Sequence, residues 1–181
     1  MHTIFARGLL IIFTAAVMVG CTSEKSAEKK SQDQQAPQTD AGFIEQATFT
    51  SLEGDSVSLS KYEGKVVLID FWETWCRPCL ASFPTLQKLQ DEYPEKFVVL
   101  AVTPGFVDNK EDAESFVNKN DYSFEFLMDS NNLHKKLNIM SIPHKIYVDA
   151  EGNFIKQSRG TSGPDGDYQQ AKKIIEKHKK S

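Results

Sequence analysis

The run Val66-Val67-Leu68-Ile69-Asp70-Phe71 is apolar and β-branched except for one acid, and it ends five residues before Cys76-Arg77-Pro78-Cys79. A strand of that composition is buried on both faces, so the sheet that holds it must be covered on both sides. Arg77 to Tyr93 then sets Leu80, Phe83, Leu86 and Leu89 at helical spacing. The two cysteines therefore open a helix directly after a central strand, and Pro84 predicts a kink within it. The same alternation continues. Phe97 to Val102 reads as a second buried strand, Lys110 to Asn118 as a helix, Phe124 to Met128 as a short strand and Asn131 to Leu137 as a short helix. Ala47–Ser51 with Val57–Ser60, and Lys145–Asp149 with Asn153–Ser158, flank Gly54 and Gly152 as hairpins. Tyr168 to Lys180 closes the chain as an amphipathic helix with a basic end. The expected class is α/β, with a central mixed sheet flanked by helices.

The cysteine spacing has a chemical purpose. Two cysteines three apart can bring their sulfurs within bonding distance, and the first sits where unpaired N–H groups and the helix dipole favour an anion. An ordinary thiol with a pKa of about 8.5 is a few per cent thiolate at pH 7, and lowering the pKa to about 7 makes half of it reactive. Cys76 is thus the expected attacking thiol and Cys79 the resolving one. Arg77 adds a cation beside Cys76, and Pro78 costs little in a first turn that has no use for its N–H. Other uses of the pair fit less well. Zinc would need two more ligands, and His134, His144 and His178 lack the paired spacing of a zinc site. A c-type haem would need His where Leu80 stands, a copper-delivery site would use a wider Cys spacing with a distant His, and a structural disulfide closing so short a loop gains little. The redox reading requires no metal or cofactor.

The amino terminus reads as an address. Met1 to Arg7 carries one cation, and Gly8 to Gly20 runs uncharged for about thirteen residues, short of the roughly twenty needed to cross a bilayer. Such a run suits the apolar centre of an export signal. Met18-Val19-Gly20-Cys21 resembles a bacterial lipoprotein signal, in which cleavage precedes a cysteine that then carries lipid; Leu is the usual residue where Met18 stands. An uncleaved anchor and an ordinary signal peptide are the alternatives. Residues 1–20 are thus read as signal peptide, 21–41 as a lipidated Cys21 with a disordered tether, and 42–181 as the folded domain. Thr22 to Ala41 has no aromatic and no aliphatic residue larger than Ala, too little to offset its ordering entropy. Beyond Cys21 stand 20 basic and 25 acidic residues, a net charge of -5 that argues against a nucleic-acid partner.

At Asp70-Phe71-Trp72, Trp75-Cys76-Arg77-Pro78-Cys79, Pro84 and Ile142-Pro143 the chain resembles thioredoxin, and more closely the membrane-anchored thioredoxin-like proteins of the TlpA/ResA group. The resemblance runs from about Phe43 to Lys180. It implies a thioredoxin fold with an amino-terminal hairpin and, at Lys110 to Asn118, a central insertion. It implies that Ile142–Pro143 is a cis bond packed against the disulfide, presenting the Ile142 backbone to an extended substrate beside Trp75. It matches Asp70 to a buried acid near the inner cysteine, where a desolvated carboxylate can take the Cys79 proton. An Asp satisfied by backbone at a strand end is the bland alternative. Cys76, Cys79 and Asp70 are thus the catalytic candidates, with Trp75, Ile142 and Pro143 as substrate-binding residues. Two departures stand out: Ser82 occupies a place where the group often has Glu, so that Asp70 would carry the proton work alone, and His144 follows the proline where Thr is common. The implied activity is protein-disulfide exchange in the bacterial envelope, on thiol- or disulfide-bearing proteins. A membrane electron donor would recycle the pair, and Ile142 before the proline leans toward the reductase direction. Two other readings stay open. A peroxiredoxin-like thiol peroxidase would want Thr or Ser where Glu73 stands, and a redox-inert binding or chaperone module would use the disulfide only structurally.

Overall fold

The computed structural model describes residues 39–179. The expected signal peptide, Cys21 and all but the last residues of the expected tether lie outside the described residues. The elements in order are α1 (Asp40–Glu45), β1 (Thr48–Ser51), β2 (Ser56–Ser58), a 3-10 turn (Leu59–Tyr62), β3 (Val66–Phe71), α2 (Arg77–Glu92), β4 (Phe97–Thr103) and α3 (Lys110–Val117). They continue with β5 (Glu125–Met128), α4 (Leu133–Lys136), β6 (His144–Val148), β7 (Phe154–Arg159) and α5 (Gly163–His178).

The strands form one mixed sheet in the order β2-β1-β5-β4-β3-β6-β7. β3 pairs parallel with β4 from Val66↔Phe97 to Phe71↔Val102, and antiparallel with β6 from Val67↔Val148 to Phe71↔His144. Alternation along β3 builds a core on each face. Val66, Leu68 and Trp72 pack with Cys79, Phe83 and Leu86 of α2 and with Ala171 and Ile175 of α5. Val67, Ile69 and Phe71 pack with Phe49, Leu100 and Ile146, and with Ile44 of α1 and Leu133 of α4. Every residue of β3 and β4 is buried, as their apolar runs require.

Among the departures from the sequence reading, three bear on how the elements form. α1 begins at Asp40, inside the expected tether, because Thr39 caps it through the Gly42 N–H (3.2 Å) and Ile44 docks into the core. A six-residue helix with Gly in it forms through that docking rather than through propensity. The expected strand at Val57 to Ser60 gives way after Ser58 to the 3-10 turn. α5 begins at Gly163 rather than Tyr168: Gly163-Pro164-Asp165-Gly166 looks like a turn, yet Pro in a first turn and an acid at the positive pole both favour a helix start. α2 continues through Pro84 to Glu92.

Trp72 anchors the α2 face. Its ring centroid lies 4.7 Å from Phe116, 5.1 Å from Phe83 and 5.5 Å from Phe126. We expect Trp72→Ala to lower unfolding free energy by about 3–5 kcal/mol, and Trp75→Ala, at a half-exposed position, by less than about 1 kcal/mol. Urea denaturation of both variants checks the contrast.

Candidate active site

The chain leaves β3 with its ladder still extended, the Trp72 N–H donating to the Val102 carbonyl at 3.1 Å. It then turns tightly. The Cys76 N–H donates to the Glu73 carbonyl and the Arg77 N–H to that of Trp75, both at 3.0 Å. Cys76 is the N-cap of α2: its Sγ accepts from the Cys79 N–H at 3.3 Å, one of the donors that a first turn leaves without partners. The two sulfurs are joined as a disulfide, with Cα atoms 5.3 Å apart. Cys79 has no exposure and Cys76 retains 2%, so a partner must approach from the Cys76 side.

Two buried acids brace the turn against the loop after β4. Glu73 is fully buried. Its Oε1 accepts from the Phe106 N–H at 2.5 Å, while its Oε2 accepts from the Val107 N–H at 3.1 Å and the Trp75 indole N–H at 2.5 Å. Asp108 answers from the loop, its carboxylate accepting from the Thr74 N–H at 2.5 Å and the Thr74 hydroxyl at 3.1 Å. A carboxylate with several N–H donors can stay buried without a cation. The braced loops hold apolar side chains in solvent. Trp75, Phe106, Val107 and Met140 are the exposed large hydrophobic residues among those described. They follow the ends of β3 and β4 and precede the start of antiparallel β6, so they rim one end of the sheet.

The Ile142–Pro143 bond is cis. Since His144 pairs with Phe71, that bond lies just past the end of β3, and Ile142 packs on the cluster holding Cys76 and Cys79. His144 itself is buried, with Nε2 2.9 Å from Gln157 Oε1 and Nδ1 without a hydrogen bond. Burial lowers its pKa, partly opposed by the Gln157 contact, and since an amide oxygen only accepts, Nε2 is the donor to Gln157.

Asp70 is fully buried, on the face that carries Leu68 and Trp72. Lys145, its cross-strand neighbour, places Nζ 3.3 Å from Asp70 Oδ1 and 3.4 Å from Asp167 Oδ2. Burial pushes the Asp70 carboxyl up, and the charge of Lys145 offsets that only in part. Ser82 puts its hydroxyl 2.8 Å from Asp167 Oδ2 and 3.2 Å from the Pro78 carbonyl.

The fold thus gathers Cys76, Cys79, Trp75 and the Ile142–Pro143 bond at one end of the sheet, with Asp70 in the layer beneath. Cys21 lies outside the described residues. Sequence reasoning met Glu73 only as an argument against a peroxidase, and passed over Asp108, Lys145 and Asp167. Lys145 left a signal, since a lysine inside a buried strand requires a buried anion. Asp167 left none of its link to the cluster, because Ser82 is 85 residues away in sequence and Lys145 lies on another element.

Comparison with known proteins agrees with this geometry. The sequence profile of the AhpC/TSA family matches residues 33–157. The thioredoxin-like protein YneN of Bacillus subtilis is 36% identical over 103 residues, covering 56% of this chain and 61% of that protein. The thiol-disulfide oxidoreductase ResA of Oceanobacillus iheyensis is 32% identical over 156 residues, covering 83% of this chain and 78% of its own. Among solved structures, the pneumococcal exposed lipoprotein thioredoxin of Streptococcus pneumoniae is 30% identical with a TM-score of 0.59, over 70% of this chain and 98% of that one. The profile match over residues 33–157 and the likeness to ResA, with which the disulfide, the cis-proline and the mixed sheet agree, show that this chain belongs to the AhpC/TSA family as a thioredoxin-like protein of the thiol-disulfide oxidoreductase type.

Proposed function

We propose that this protein is an exported reductase of protein disulfides, held to a bacterial membrane by lipid on Cys21. The observation that carries the chemistry is the Cys76–Cys79 disulfide capping α2, in which Cys76 keeps the pair's small remaining exposure and Cys79 has none. In the reduced protein, the Cys76 thiolate attacks one sulfur of a client disulfide and the other client sulfur leaves as thiolate. Cys79 gives up its proton, to Asp70 in this reading, and attacks the Cys76 sulfur of the mixed disulfide. The second client sulfur leaves, two electrons have passed to the client, and the Cys76–Cys79 bond is restored. A membrane electron donor then returns two electrons to the pair. The apolar rim of Trp75, Phe106, Val107 and Met140 suits a loosely folded client, whose extended backbone would meet Ile142 beside the cis-proline. The word "exposed lipoprotein" in the name of the pneumococcal relative supports export and lipidation.

A peroxidase reading takes support from the AhpC/TSA profile. Against it, the position three residues before Cys76 is Glu73, whose carboxylate is committed to Trp75 and the 106–107 amides. Peroxide consumption that survives Cys79→Ala and fails in Cys76→Ser would establish it. Under the proposal, insulin reduction is lost in Cys76→Ser, and Cys79→Ala accumulates mixed disulfides that gel electrophoresis without reductant resolves. Equal insulin reduction by wild type and Cys76→Ser would remove the proposal.

The rim should depend on its brace. Glu73→Gln sets an amide donor against N–H donors, at a cost of about 1–3 kcal/mol. Lower thermal stability together with a several-fold higher KM for a protein client is the expected result, measured by calorimetry and steady-state insulin reduction.

A further inference from the structure

Asp70, Lys145 and Asp167 form a buried charge cluster between the sheet and the helices α2 and α5, with side-chain exposures of 0%, 1% and 4%. Two carboxylates and one ammonium leave one negative charge uncompensated. Desolvation makes that charge costly, and a proton on either carboxyl removes it. The hydrogen bonds decide which carboxyl takes the proton. Asp167 Oδ2 accepts from the hydroxyls of Ser82 (2.8 Å) and Thr161 (2.7 Å), Oδ1 accepts from the Ser162 N–H (3.0 Å), and Lys145 lies 3.4 Å away. Asp70 has Lys145 at 3.3 Å and no hydrogen bond to either oxygen. The Asp167 cradle is built tightly: a Cβ at Gly166 would fall 2.5 Å from that of Ser162.

We propose that Asp167 is a positioning residue for thiol exchange: it holds the Lys145 ammonium and stays ionised, leaving Asp70 to hold and yield the proton exchanged with Cys79. The inference rests on the reading of Asp70 as the proton partner of Cys79. The groups facing Asp70 are few. β6 supplies Lys145 and the Tyr147 hydroxyl, α5 supplies Asp167, α2 reaches the cluster through Ser82, three residues after Cys79, and β4 sets Ala101 opposite. Burial opposes the charge on both carboxyls. At Asp167 the Thr161 hydroxyl, Lys145, the Ser162 N–H and Ser82 outweigh it and hold the group below the ordinary carboxylate range, whereas at Asp70 burial prevails. When a donor thiolate attacks the Cys76 sulfur, the Cys76–Cys79 bond breaks and Cys79 leaves with the electron pair. The Asp70 proton moves onto it. In the opposite step the Cys79 thiol returns that proton to the Asp70 carboxylate as its sulfur attacks the mixed disulfide.

The test is the pH profile of reduction of the oxidised protein by dithiothreitol, followed by stopped-flow tryptophan fluorescence and normalised to dithiothreitol thiolate. In wild type the normalised rate falls as Asp70 loses its proton. Asp167→Asn frees Lys145 for Asp70 and removes a repelling charge, so the fall moves to lower pH by about one unit or more. Lys145→Met moves it to higher pH. Loss of packing alone would not shift the two midpoints in opposite directions. An unmoved midpoint in Asp167→Asn, or shifts of the same sign in both variants, overturns the inference. The fall should vanish in Asp70→Asn. If it persists there, the reading of Asp70 fails and takes the inference with it; if it vanishes there yet stays unmoved in Asp167→Asn, only the inference falls. Carboxyl carbon NMR of the oxidised wild-type protein needs no variant to fold. Asp70 should titrate above Asp167, and the reverse order overturns the inference.

Discussion

Backbone N–H groups in the first turn of α2 have no partners within the helix, and the sulfur of Cys76 is placed to take one of them. That placement depends on β3. Held by β4 on one edge and β6 on the other, and buried along its whole length, β3 delivers the chain to a single exit point. A thiolate formed at Cys76 would meet the positive pole of a helix, and about 2 kcal/mol of such stabilisation takes an ordinary thiol to a pKa near 7. The rest of the site follows from that exit: the register Phe71↔His144 carries Pro143 to the same end of the sheet, and the loop after parallel β4 arrives beside it.

The fold was legible because the strongest patterns coincide with the most buried elements. Val66 to Phe71 and Phe97 to Val102 carry little polar character and became the central parallel pair. The helix opened by the cysteines showed itself through Leu80, Phe83, Leu86 and Leu89. What escaped was structure that exists by docking or by cap chemistry. α1 survives through Ile44 and the Thr39 cap, and the first turn of α5 carries the Gly-Pro-Asp-Gly run of a loop. The reactive pair could be read from spacing alone. The groups around it could not, because Glu73, Asp108, Lys145 and Asp167 each owe their place in the site to at least one partner distant in sequence.

A buried ion pair is a poor source of stability, since desolvation consumes most of the Coulombic gain. The Asp70–Lys145–Asp167 cluster is therefore unlike the apolar packing around it, and Leu68, Phe83 and Leu86 in the same core show what a purely structural layer uses. Asp167 reaches the cluster from α5, while Ser82 and the disulfide belong to α2. Packing of these two helices thus sets the electrostatics beneath the sulfurs.

The clamp at Glu73 grips main-chain amides at 106 and 107, together with the Trp75 indole. Since the amides are common to nearly every residue type, the loop keeps its shape whatever side chains it displays there. Preference for one protein over another can therefore drift, or be engineered, by exchanging Phe106 and Val107 while the sulfur chemistry stays as it is.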